Sequence, residues 1–160
     1  MKVYHPELKG RGLKIGIVRS RFSEEIGLKV FEACMAELEA LQVKEKNITC
    51  LSVPGALEIP VGLQSLLLKS DFDALIAIGV VIRGDTYHFE IVANGSAQGV
   101  SRVALDFNVP IANAVLTTED EEQALERAAE KGAAAARVAI EMANHLRNLK
   151  IKCSKEITCS

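Results

Sequence analysis

Apolar and polar positions switch between two periods along the chain. Leu13-Lys-Ile-Gly-Ile-Val18 reads as a strand that ends at polar Arg19-Ser-Arg21. Ile26, Val30, Cys34, Leu38 and Leu41 then recur at helical spacing; Ser23 is the expected cap, and Glu24 and Glu25 suit the helix's positive end. Asn47 to Val53 predicts a second strand, stopped by Pro54-Gly55, and Ala56 to Lys69 a helix that tolerates Pro60 in its first turn. Ala74 to Ile82 is apolar throughout, so this strand should be buried on both faces. Ile91 to Phe107 predicts a helix loosened by Gly95 and Gly99, and Pro110 to Leu116 a fourth strand. Thr118-Glu-Asp-Glu121 has capping-box spacing and opens an Ala-rich helix to about Leu149.

Strands alternating with helices predict an α/β fold, a three-layer sandwich around a four-stranded parallel sheet of flavodoxin-like type. Residues 1–149 form one expected domain, and residues 150–160 a flexible tail. The segment before Leu13 is too short to be a domain and is left to add to a neighbouring subunit.

Composition narrows the function. The chain has 160 residues, 49% of them hydrophobic, enough for a real core. With 4% aromatics and no Trp, that core must be aliphatic. A net charge of -2 gives no electrostatic reason to expect nucleic acid or an acidic membrane as partner. The amino-terminal residues lack the apolar stretch of a secretory signal, and no run is long enough to span a membrane, so a cytoplasmic location is expected. Cys34 and Cys50 read as small buried residues, and Cys153 and Cys159 fall in the polar tail. No Cys pair has C-x-x-C spacing, which argues against a zinc or redox site.

In an open parallel sheet, ligands bind beyond the carboxyl ends of the strands. Those ends carry Arg21-Phe22, then Pro54-Gly-Ala-Leu-Glu58, then Arg83-Gly-Asp-Thr-Tyr-His-Phe89, then Thr117-Thr118. Each residue has a plain structural reading: Phe22 as a packed loop anchor, Glu58 as a helix-start acid, His88 as a structural histidine, Arg127 and Lys131 as solvated charges. Together they are more specific. A flat heterocycle can stack on Phe22 and bond to backbone near Val80, Val81 and Ile82. The N–H groups of a glycine turn entering a helix can hold phosphate. His88 can move protons near neutrality. The residues alone therefore reach a small phosphorylated or heterocyclic ligand and proton transfer. Dinucleotide, P-loop, serine-hydrolase and zinc-protease motifs are absent.

Val53-Pro-Gly-Ala-Leu-Glu-Ile-Pro60 and Gly79-Val-Val-Ile-Arg-Gly-Asp-Thr-Tyr-His-Phe-Glu90 resemble the lumazine synthases, over roughly residues 10–149. The resemblance implies condensation of 5-amino-6-(D-ribitylamino)uracil with 3,4-dihydroxy-2-butanone 4-phosphate, a transferase reaction of riboflavin biosynthesis. Phosphate and water leave, 6,7-dimethyl-8-ribityllumazine forms, and no cofactor or metal is needed. By position, Phe22 matches the aromatic on the pyrimidine, and Ala56, Leu57 and Glu58 the turn holding the ribityl chain. Val80, Val81 and Ile82 match the strand end beside the uracil, Asp85 and Thr86 the phosphate turn, and His88 the proton-transfer residue. Arg127, Lys131 and Asn113 match residues that a neighbouring subunit of a pentameric ring brings to the site.

Three departures stand out. Asn113 occupies a position where most relatives carry Phe, which puts substrate affinity in question. Only Ala128-Ala129-Glu130 separates Arg127 from Lys131, whereas shell-forming relatives carry an insertion there. Residues from Lys150 onward are extra. The expected assembly is therefore a pentamer or two stacked pentamers. Two rival readings are weaker. A receiver-type signalling module wants acidic residues where Arg19-Ser-Arg21 and Ile82-Arg83 stand, and a catalytically weak lumazine- or riboflavin-binding relative has only Asn113 in its favour.

Overall fold

The computed structural model of the protein describes residues 1–154. Its elements run in the expected order: β1 Ile15–Ser20, α1 Glu24–Ala40, β2 Ile48–Val53, α2 Ile59–Lys69, β3 Ala74–Ile82, α3 His88–Phe107, β4 Ile111–Thr118 and α4 Glu121–Asn148. Short 3-10 turns at Glu45–Asn47 and Ala56–Glu58 precede β2 and α2. The strands form one parallel sheet in the order β2-β1-β3-β4. Its register ends with Ser20 beside Val53 and Ile82 beside Thr118, so the strands' carboxyl ends share one edge.

Each face of the sheet carries two helices. Ile15 and Ile17 of β1, Ile76 and Ile78 of β3, and Ala114 and Leu116 of β4 pack against α1 and α4. Val18, Leu75, Ala77 and Val115 point the other way, against α2 and α3. Strand β3 is buried along its length except at Ile82, as its unbroken apolar run requires.

Small residues bring the layers together. A Cβ on Gly132 of α4 would lie 2.1 Å from the Val30 carbonyl oxygen of α1. A Cβ on Gly99 of α3 would lie 2.4 Å from Pro60 Cγ. Gly99 was expected to loosen α3; its place in the structure is a close contact between α2 and α3.

Helix ends depart from expectation in instructive ways. Ser23 precedes α1 in a left-handed conformation (φ 53°) and its side chain caps nothing. The capping residue of α4 is Asp120, not Thr118: its carboxylate accepts the Gln123 N–H at 2.8 Å, while the Gln123 side chain reaches back to the Glu119 N–H at 3.0 Å. Thr118 still belongs to β4 and donates its hydroxyl to the Asp120 carbonyl. Helix α3 begins at His88, three residues before the predicted Ile91. Three helices close by a left-handed residue whose neighbours bond back into the last turn. Val43 N–H reaches the Leu38 carbonyl past Gln42, Val109 N–H reaches Ala104 past Asn108, and Ile151 N–H reaches Leu146 past Lys150.

Cys34 is fully buried, and burial, with a smaller effect from Cys50, pushes its thiol up to about 12. Cys50 is exposed, against expectation: β2 is the edge strand of the sheet, and Thr49, Cys50 and Ser52 on it are all exposed. Cys153 packs on the α2/α3 side of the core, and the Ser154 N–H donates to the Phe107 carbonyl at 2.7 Å. The rest of the predicted tail, with Cys159, lies outside the described residues.

Gly132→Ala should push α1 and α4 apart. A loss of about 1–3 kcal/mol in urea unfolding is expected, the scale of core overpacking; an unchanged midpoint would mean that the contact at Val30 is not tight.

Candidate active site

The carboxyl edge of the sheet holds a cleft of about 400 Å³. Loops and helix starts after three strands build it. Phe22 comes from the turn after β1, and Gly55, Ala56, Leu57 and Glu58 from the 3-10 turn after β2. Val80, Val81 and Ile82 end β3, Gly84 and Thr86 follow, and His88, Phe89 and Val92 come from the first turns of α3.

The local sequence explains these positions. Pro60 lies at the start of α2, where its missing N–H costs nothing, so the chain enters the helix directly from the Ala56–Glu58 turn. Gly55 leaves room for the Glu58 carboxylate, which would sit 2.9 Å from any Cβ placed there. Leu57 packs close to Gly95 of α3, where a Cβ would meet its Cδ2 at 3.0 Å. Phe22 is 68% exposed, which excludes a packed loop anchor and leaves an aromatic plate open to a ligand. His88 opens α3 and its N–H lies 3.4 Å from Thr86 Oγ1, a long contact. Its side chain therefore stands at a helix N-terminus beside a glycine-containing turn, a position that favours an anion nearby.

Thus Phe22, Ala56, Leu57, Glu58, Val80, Val81, Ile82, Thr86 and His88 come together in one cleft. Asp85 lies in the same turn, exposed, but does not line it. Asn113, Arg127 and Lys131 belong to another surface. Arg127 and Lys131 line a groove between β4 and α4, and Lys131 and Asn113 a shallow depression between α3 and β4. Helix α4 runs unbroken through both, so Arg127 and Lys131 share a face at i and i+4. Arg127 donates to the Gln123 carbonyl at 2.9 Å, and Asn113 Oδ1 accepts the Val115 N–H at 2.9 Å on the open edge of β4.

Sequence reasoning missed Phe89 and Val92. Their three-residue spacing on α3 was a usable signal, hidden because the helix was expected to begin at Ile91. It also passed over Arg83. The Arg83 side chain bonds Glu90 and Glu119, the latter at 2.6 Å, and its guanidinium lies 4.3 Å from the Phe89 ring centre. The hydrogen bond from Arg83 holds the Glu90 carboxyl below its ordinary range, and the same bonds raise Arg83. No group of three or more His, Cys, Asp or Glu suited to a metal ion occurs among the described residues, and no helix there is long and apolar enough to cross a membrane.

A three-layer α/β sandwich with an apolar cleft at its carboxyl edge, one aromatic wall, one carboxylate and one histidine at a helix start defines the class: an enzyme-type site for a small planar ligand. Comparison with known proteins sharpens this. The family model for 6,7-dimethyl-8-ribityllumazine synthase matches residues 12–147. A protein of that name from Burkholderia multivorans is 61% identical over 141 residues, covering 88% of this chain and 82% of its own. Another from Burkholderia vietnamiensis is 60% identical, covering 88% of this chain and 83% of its own. The chain belongs to the 6,7-dimethyl-8-ribityllumazine synthase family, transferases that form dimethylribityllumazine in riboflavin biosynthesis.

If Phe22 is the stacking wall, Phe22→Ala should weaken binding of a ribityl-uracil analogue by about 1–3 kcal/mol, the scale of lost aromatic burial. Calorimetric titration checks this; unchanged affinity would put the heterocycle elsewhere.

Proposed function

We propose that the cleft is one half of the condensation site and that the surface bearing Asn113, Arg127 and Lys131 completes the site of an adjacent subunit. One observation carries this reading: nine of the residues matched to substrate contacts share a cleft, while these three gather on a separate face of the same chain. On this reading a second copy supplies the cation for the phosphate.

In this arrangement Phe22 stacks on the pyrimidine of 5-amino-6-(D-ribitylamino)uracil. Backbone at Val80, Val81 and Ile82 reads its edge. The Ala56, Leu57 and Glu58 turn holds the ribityl chain, with the Glu58 carboxylate accepting from its hydroxyls. The turn containing Asp85 and Thr86, at the N-terminus of α3, receives the phosphate of 3,4-dihydroxy-2-butanone 4-phosphate. The neighbour's Arg127 neutralises that phosphate, with Lys131 beside it. The neighbour's Asn113 closes over the heterocycle, covering less ring than an aromatic would.

The amino group of the uracil attacks the ketone, water and phosphate leave, and ring closure gives the lumazine. The reaction joins two substrates, so holding them in register supplies most of the acceleration, up to roughly 7–11 kcal/mol in favourable intramolecular cases. His88, beside the phosphate turn, moves protons at the reacting nitrogen and carbon, a contribution of about 10²–10⁴ in rate. All of this chemistry is acid–base and positional, and the reading assigns no cofactor or metal to the site.

The assembly follows from the same reading. A ring of five places each Arg127 against a neighbour's cleft. Residues 1–9 are exposed and carry no regular structure, and β2 is an edge strand on which Thr49, Cys50 and Ser52 are exposed. We propose that this segment covers the neighbour's β2 edge, since an unpaired edge otherwise invites aggregation. Unbroken α4 lacks the bend expected where pentamers meet in a shell, which favours a pentamer or decamer. Residues 1–149 then act as one domain of a cytoplasmic enzyme, with residues 150–160 as an appended tail.

Mixing the purified protein with both substrates should produce the fluorescent lumazine; its absence would sink the proposal. His88→Ala should lower turnover by about 10²-fold or more while leaving analogue binding nearly intact. Unchanged turnover would make His88 structural. Sedimentation should give a species of about five or ten subunits, as closed cyclic or stacked rings allow; a dominant sixty-subunit particle would contradict the reading of α4.

A further inference from the structure

Arg83 stands at the junction of three elements and outside the cleft. It follows the last residue of β3, and its N–H donates to the Thr118 carbonyl at 2.9 Å, continuing the β3–β4 ladder. Its side chain then turns outward. One arm bonds Glu90, two residues into α3 from His88, and Nε bonds Glu119 at 2.6 Å, one residue before the Asp120 cap of α4. The guanidinium also lies over Phe89, whose ring lines the cleft. A planar fork that bonds two carboxylates while stacking on a ring is chemistry open to Arg and closed to Lys.

The turn it spans has little else to hold it. Tyr87 occupies the N-cap position of α3 without a side-chain bond, and the Thr86–His88 contact is long. Yet this turn carries Thr86, His88 and Phe89 into the cleft. Without Arg83, Glu90 and Glu119 would face one another as like charges.

We propose that Arg83 is a positioning residue: its guanidinium fastens the first turn of α3 to the entrance of α4 and thereby aims His88 and the phosphate turn, without touching either substrate. The inference rests on the reading of the cleft given above. An ion pair this exposed adds little to global stability. Its effect belongs in the rate, because a small misplacement of a proton-transfer group is costly. The same bond to Glu119 ties one subunit's cleft to the start of α4, the helix that carries Arg127 outward.

The test is a double-mutant cycle on the full-length assembled protein: Arg83→Ala and Arg83→Lys, each alone and with His88→Ala, measured by lumazine formation. Arg83→Ala should lower kcat about tenfold or more while KM for the ribitylaminouracil stays within about twofold. Arg83→Lys should recover little of this. On the His88→Ala background, Arg83→Ala should cost less than about twofold more, because the two act as a unit. Wild-type kcat in Arg83→Ala, full recovery in Arg83→Lys, or an undiminished loss on the His88→Ala background would overturn the proposal. If Arg83→Ala does not assemble, Glu119→Ala, which removes the acceptor of the Arg83 Nε–H, decides: lowered kcat in an intact assembly supports the proposal, and unchanged kcat overturns it. A wild type that forms no lumazine, or a fully active His88→Ala, would instead refute the reading of the cleft, and this inference with it. An active wild type, an impaired His88→Ala and an unimpaired Arg83→Ala would overturn this inference alone.

Discussion

Strand β3 has almost no face to give to solvent. From Ala74 to Val81 every residue is buried, alternately under α1 and α4 and under α2 and α3. A strand covered on both sides must be flanked by other strands and capped by helices above and below. With all four strands parallel, every crossover returns to the same starting edge, so the opposite edge collects every strand-to-helix turn. The cleft is a consequence: Phe22, the Ala56–Glu58 turn and the residues from Gly84 to Val92 meet there because β3 delivers its end between β1 and β4. Gly132 and Gly99 serve the same end, since covering β3 from both sides needs helices that approach closely.

That edge gathers nine of the residues matched to substrate contacts and leaves Asn113, Arg127 and Lys131 on other surfaces. The aromatic wall, the carboxylate and the histidine are local products of three neighbouring turns. Arg127 and Lys131 sit on α4, on the opposite layer from α2 and α3, and they line a groove of their own. Lys131 reaches round the β4 edge as far as α3, but neither it nor Arg127 lines the cleft. On the proposed reading a second copy of the chain supplies the cation for the phosphate, and stability of the assembly and integrity of the site become one requirement. Asn113 fits this division. Its carboxamide oxygen is engaged by the Val115 N–H on the open edge of β4, so it serves the edge of its own sheet while it faces outward.

The strands and their order were legible because aliphatic runs of strand length separated by helical periodicity have few other solutions. Helix ends were less so. Gln42 and Lys150 close their helices in a left-handed conformation that usually calls for Gly or Asn, so no residue type announced those ends. Ser23 offered a cap that its backbone conformation disallows, and Thr118 looked like a cap because Glu121 follows it at capping-box spacing, whereas Asp120 makes the cap. The early start of α3 was hidden in a turn whose residues read as chemistry. For the site, Phe22, Glu58 and His88 could be placed on one rim from strand ends alone. Arg127, Lys131 and Asn113 could not, since they lie on α4 and β4 away from those turns and only the family resemblance joined them to the site. Arg83 was passed over because its partners, Glu90 and Glu119, are far apart in sequence and meet only after β3 and β4 pair.

The claim that matters most is that each site draws on two subunits. It can be tested by mixing two impaired variants, His88→Ala and Arg127→Ala, under conditions where subunits exchange, and measuring lumazine formation. A shared site predicts recovered activity, because some interfaces in the mixed rings pair an intact His88 with an intact Arg127. No recovery in rings verified to contain both variants would contradict it and place the whole reaction within one chain.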